Sequence, residues 1–88
     1  MSSEDALGLL AIHCKPDPTF HPLKRPDTRR WYALTERGDF EIVTTAEKWY
    51  DTRARVGGGG AIDLAMHLLQ LPFVDAVQIL IERGASRG

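Results

Sequence analysis

A chain of 88 residues with one cysteine, Cys14, cannot close a disulfide of its own or build a zinc site from several thiolates. A domain this small hides only roughly 60–65% of the surface its unfolded chain exposes. Packing, or a partner, therefore has to supply what a covalent or metal staple supplies in other small domains. The length accommodates one domain, residues 1–88. Hydrophobic residues at 43% against charged residues at 26% are enough for a packed core and argue against disorder. A formal net charge of -1 excludes a polycation that coats nucleic acid by charge alone. Met1 to Asp5 is acidic with no long apolar run behind it, and later apolar stretches are broken by Asp63, His67, Gln70 and Asp75. Neither a secretory leader nor a membrane span is expected, and the chain reads as cytoplasmic.

The organisation follows from the punctuation. Ser3–Ile12 reads as a short helix with Ser3 as N-cap, Glu4 and Asp5 at its positive end, and Leu7, Leu10 and Ala11 on one face. Pro16, Pro18, Pro22 and Pro26 make 13–29 a loop. Between positions 15 and 30, the five basic residues Lys15, Lys24, Arg25, Arg29 and Arg30 outnumber the acidic Asp17 and Asp27. Arg30–Thr35 and Phe40–Thr44 read as two strands joined by the turn Glu36-Arg37-Gly38-Asp39, with Lys48–Asp51 as a short third strand. Residues 52–60 read as a loop ending in four glycines. A largely buried helix over Ala61–Gln70 follows, with Asp63, His67 and Gln70 as its polar stripe. Pro72 opens a second helix whose expected inner face is Phe73, Ala76, Val77, Leu80 and Ile81. Gly84 is its expected C-cap, and Ala85 to Gly88 a frayed tail.

Four constellations bear on chemistry. The run Gly57 to Gly60 before a helix could bring bare amides to a phosphate, or could simply permit a tight approach to a buried helix; no Walker or dinucleotide fingerprint accompanies it. His13, His21, His67 and Cys14 lack the spacing of a metal site, and His67, four residues after Asp63, suits a surface hydrogen bond. No nucleophile–base–orienter set can be named: Ser2, Ser3 and Ser86 lie near the ends, and Cys14 and His13 are mere neighbours. The basic and aromatic set comprises Lys24, Arg25, Arg29, Arg30, Trp31, Tyr32, Lys48, Trp49, Tyr50, Arg53 and Arg55. Guanidinium groups pair with phosphates and aromatic rings stack on unpaired bases. Trp31, Trp49 and Tyr50 can equally serve as core or half-core, Trp49 above all.

Lys48-Trp49-Tyr50-Asp51, then Gly57–Leu68, then Phe73-Val74-Asp75-Ala76-Val77-Gln78-Ile79-Leu80 together resemble the N-terminal zinc-binding domain of bacterial and phage DNA primases. They are most similar to variants that precede toprim domains in proteins of plasmids and integrating elements. The similarity covers roughly the second half of the chain. It implies a small antiparallel sheet, a glycine-rich turn, two helices and a nucleic-acid context. In that family a C-x-x-C pair precedes the glycine turn and a C-x-x-H pair lies upstream. Here the first would fall at Thr52 and Arg55 and the second near Cys14 and Asp17, so the resemblance carries no metal. An arginine at a former ligand position could serve as a phosphate contact instead.

The expected fold is α+β: a three-stranded antiparallel sheet followed by a helical hairpin, zinc-ribbon-like without metal. The expected function is a non-catalytic accessory module that binds single-stranded DNA or template during replication or priming of a mobile element, without a cofactor. The nucleic-acid contacts expected are Lys24, Arg25, Arg29, Arg30, Trp31, Tyr32, Lys48, Arg53, Arg55, Gly58 and Gly59. The alternative is a protein-interaction module docking on a polymerase or primase, favoured by the near-neutral charge.

Overall fold

The computed structural model describes residues 1–22 and 26–87. The elements run α1 (Ser3–Leu10), β1 (His13–Pro16), β2 (Arg29–Thr35), β3 (Gly38–Thr45), β4 (Lys48–Asp51), β5 (Val56–Gly59), α2 (Ala61–Leu69) and α3 (Phe73–Arg87). The strands form one antiparallel sheet in the order β1-β2-β3-β4-β5. The class is α+β, but the sheet has five strands rather than three.

Both unexpected strands lie at the edges. β1 sits in the stretch expected to be loop; Pro16 closes it at the sheet edge, where a missing N–H is tolerated. β5 is Val-Gly-Gly-Gly, a composition that strand preference disfavours. It pairs with β4 from Lys48 to Asp51, and at Gly58 only bare backbone fits against that strand. A Cβ on Gly58 would stand 2.9 Å from Cζ2 of Trp49 and would collide with the Asp63 carboxylate. Gly60, at φ 94°, then turns the chain into α2 in a conformation other residues avoid.

Cross-strand pairing sorts the sheet into two faces. Trp31 pairs with Ile42, Ala33 with Phe40, Ile42 with Asp51, and Thr44 with Trp49. That face meets Leu7 and Leu10 of α1, Leu64 and Leu68 of α2, and Ala76 and Leu80 of α3 in a single core. Fully burying a side chain such as Ile42 or Leu68 stabilises the fold by about 1.5–3 kcal/mol each. The opposite face carries His13, Lys15, Arg30, Tyr32, Leu34, Asp39, Glu41, Val43, Lys48 and Tyr50, none of them buried. All three helices therefore cover one side of the sheet.

Several local expectations change. Ser2, not Ser3, caps α1, accepting from the Asp5 amide at 3.1 Å. Ser3 is fully buried, its hydroxyl 2.8 Å from the Ala46 carbonyl and 2.9 Å from that of Lys48, so it ties α1 to the β3–β4 turn. α3 does not stop at Gly84 but continues to Arg87, through the residues expected to fray. Arg83 fastens this helix to α1. Its guanidinium donates to the carbonyls of Leu9 and Leu10, which the end of α1 leaves without helical partners. The inner face of α3 is Ala76 and Leu80 with Ile79 beside them, whereas Phe73 and Ile81 are exposed. Among the described residues no single helix is long and apolar enough to cross a membrane, and α2 and α3 meet at a 107° bend.

Candidate nucleic-acid interface

The alternation of β2 separates its two aromatic residues. Trp31 points to the helix side, partly buried, and its indole N–H donates to Thr44 Oγ1 at 3.0 Å. Tyr32 points to the open face, with its hydroxyl donating to Asp17 Oδ2 at 3.1 Å. Of the two, only Tyr32 offers its ring to that face. Tyr50, a candidate for the half-core, also stands there and is 43% exposed. Strand spacing and register put the Tyr32 and Tyr50 Cα atoms about 12 Å apart, two strands over and two residues along.

Asp17 organises one end of this face. Its Oδ1 accepts from the backbone and hydroxyl of Thr19, at 2.9 and 2.6 Å. Its Oδ2 accepts from Arg30 through Nε at 2.8 Å and through a terminal nitrogen at 2.5 Å. The Thr19 bonds, then the Arg30 bond, hold the carboxyl well below the usual carboxylate range against the cost of desolvation. Arg30 also lies 3.5 Å from the Glu41 carboxylate and covers the Phe20 ring at 5.2 Å. Glu41 in turn accepts from the Thr52 hydroxyl. A continuous polar chain, Asp17–Arg30–Glu41–Thr52, thus runs across the open face.

This chain bears on the zinc positions implied by the resemblance. Asp17 and Thr52 are both committed to it. Arg55 brings a positive charge on an exposed turn at φ 59°. Cys14 faces the helices, and burial pushes its thiol pKa up, with Glu4 adding to the shift. These four residues do not fit a zinc ion. Among the described residues no three His, Cys, Asp or Glu side chains are grouped to hold a metal.

The remaining candidate contacts scatter. Arg30 belongs to the open face but is already engaged by two carboxylates. Arg29 points to the helix side, where its Nε lies 3.8 Å from Glu4. Lys48 is exposed on the open face, and Arg53 and Arg55 are exposed on the β4–β5 turn. Lys24 and Arg25 lie outside the described residues. The glycine amides are not free to cradle a phosphate: Gly59 N–H donates to Asp63 Oδ2 at 3.2 Å and Gly60 N–H to the Glu47 carbonyl at 2.8 Å. Gly58 is closed in by Trp49 and Asp63.

A groove of about 200 Å³ opens at the β1–β2–β3 end of the open face, lined by His13, Lys15, Tyr32, Leu34, Asp39 and Arg53. Lys15 and Tyr50 were not among the expected nucleic-acid contacts, although Tyr50 stood in the basic and aromatic set as a core or half-core alternative. β1 had no strand signature to place Lys15 opposite Tyr32. The i, i+2 pairing of Lys48 with Tyr50 was the available signal for the outward tyrosine.

His67 does not pair with Asp63. Its Nε2 lies 2.7 Å from Asp51 Oδ2, and its ring stacks on Trp49 with centroids 4.9 Å apart. This cluster sits on the helix side and belongs to the core. No family model, curated protein or solved structure matches this chain.

Proposed function

We propose that the protein is a non-catalytic module that binds single-stranded nucleic acid, most directly single-stranded DNA, across the open face of its sheet. One observation carries this reading. Two tyrosines, Tyr32 and Tyr50, stand on a sheet face that none of the described helices covers, with Lys15, Lys48 and Arg53 around them. Base stacking on an aromatic side chain is worth about 1–3 kcal/mol per base, and single-strand binders combine such stacking with cations along the path of the backbone. The Asp17 bond that immobilises Tyr32 lowers the entropic cost of stacking. The resemblance to primase zinc-binding domains supports the finer assignment: an accessory module, acting in the cytoplasm, in replication or priming of a mobile element.

Titration of a labelled oligothymidylate at two salt concentrations tests the proposal. The expected outcome is binding at low salt that weakens as salt rises, with the shallow slope of a few phosphate contacts. Absence of binding at low salt, or binding indifferent to salt, contradicts it.

A second reading has its own observation. Phe73, Val74 and Ile81 of α3 are 58%, 74% and 60% exposed and leave an apolar stripe on the far side of the molecule. A polymerase or primase subunit docking there would make the chain an adaptor. Co-purification with such a subunit, lost on Phe73→Ser with Ile81→Ser, is the corresponding test.

A further inference from the structure

Resting on the single-strand reading above, we infer that the groove at the β1–β2–β3 end of the open face is a base-reading pocket selective for guanine. Its volume, about 200 Å³, is smaller than a drug-sized site and suits one flat heterocycle. Tyr32 supplies an aromatic wall whose orientation is fixed by the bond from its hydroxyl to Asp17. Leu34, 43% exposed, supplies apolar surface beside it. Lys15 stands opposite Tyr32 in the register, and Arg53 closes the other side, donating to the Asp39 backbone carbonyl at 3.4 Å. These two cations are placed to meet the phosphates on either side of an inserted base.

The informative residue is Asp39. It pairs with Leu34 on the open face, is exposed, and lines the groove. Its carboxylate takes part in none of the hydrogen bonds or ion pairs among the described residues; only its carbonyl does. A carboxylate in a groove meant solely for phosphate weakens binding. The same carboxylate is well suited to a base edge, because it only accepts hydrogen bonds. An unpaired base in a single strand presents its Watson–Crick edge. Guanine offers two adjacent donors there, the ring N1–H and the exocyclic amino group, matching the two oxygens of a carboxylate. Adenine and cytosine set an acceptor nitrogen beside their amino group, and thymine flanks its one N–H with two carbonyls. Guanine alone gains two bonds without repulsion.

The test uses the full chain and four oligonucleotides: a short oligothymidylate, and the same strand with one central thymidine replaced by dG, dA or dC. Fluorescence anisotropy at low salt should show the dG strand bound about tenfold more tightly than the others. Asp39→Asn, an exposed substitution that leaves the core intact, should remove that preference while affinity for plain oligothymidylate is kept or raised. Equal affinity for all four strands, or a dG preference that survives Asp39→Asn, overturns the pocket and leaves the single-strand reading standing. Failure of every strand to bind overturns both.

Discussion

The Nε2 of His67 and the Oδ2 of Asp51 are 2.7 Å apart, and through them α2 is fastened to the end of β4. Asp51 is 2% exposed, and its other oxygen accepts from the amides of Arg53 and Ala54, both at 3.0 Å. The His67 ring fills the space between Trp49 and Phe40. His67→Ala removes both the bond and the ring packing. It should cost about 2–4 kcal/mol, read as a lower denaturation midpoint in urea. A loss below about 0.5 kcal/mol would mean that the pair does not hold the helix to the sheet.

Acid should unfold the protein through two aspartates. Asp17 is held below its ordinary value by its bonds from Thr19, then by Arg30. Burial alone would raise Asp51, but the Ala54 amide, His67 and the Arg53 amide outweigh it and lower the value. Both groups are ionised more readily in the folded chain than in the unfolded one, whose reference is 3.8. The unfolded state therefore binds more protons in acid, and the stabilisation is complete above that reference and lost as pH falls below it. Denaturation midpoints measured from pH 6 to pH 2 should fall steeply at the acid end, and Asp17→Asn should flatten that limb.

The glycine run can be dissected by single alanines. Gly58→Ala drives a methyl against the buried Trp49 ring and should cost about 1–3 kcal/mol. At Gly59 the same methyl meets nothing within 4 Å, and Gly59→Ala should be nearly neutral. Thermal unfolding of the two variants side by side checks the contrast. Equal effects would show that backbone freedom, not close approach to Trp49, explains the run.

Stacking on the open face separates Tyr50 and Tyr32 from Trp31. Tyr50→Ala should weaken single-strand binding by about 5- to 150-fold with little change in stability, because the ring is 43% exposed. Tyr32→Phe keeps the ring and should retain most affinity while losing the bond to Asp17. Trp31→Phe breaks the bond to Thr44 and should lower stability rather than affinity. Anisotropy titrations and melting curves on the three variants distinguish these outcomes.

The hairpin of β2 and β3, the short β4 and the two C-terminal helices were legible because apolar side chains recur at the right periods. β1 and β5 were not, since His-Cys-Lys-Pro and Val-Gly-Gly-Gly carry no period at all; their pairing is decided by backbone geometry and by Trp49. The same limit applies to the candidate site. Composition marked Arg30, Trp31 and Tyr32 together, but the pleat turns Trp31 to the core and Asp17, 15 residues before Tyr32, engages the other two. For α3, one apolar face from Phe73 to Ile81 was expected, and contact with α1 and α2 buries Ala76 and Leu80 at its middle while Phe73 and Ile81 at its margins stay exposed.

Amide chemical-shift mapping of the ¹⁵N-labelled chain during titration with single-stranded DNA tests the central claim most directly. Binding across the open face predicts shifts concentrated at Lys15, Tyr32, Lys48, Tyr50 and Arg53, with Phe73, Val74 and Ile81 of α3 unmoved. Shifts confined to α3, or none at any residue at low salt, would contradict it.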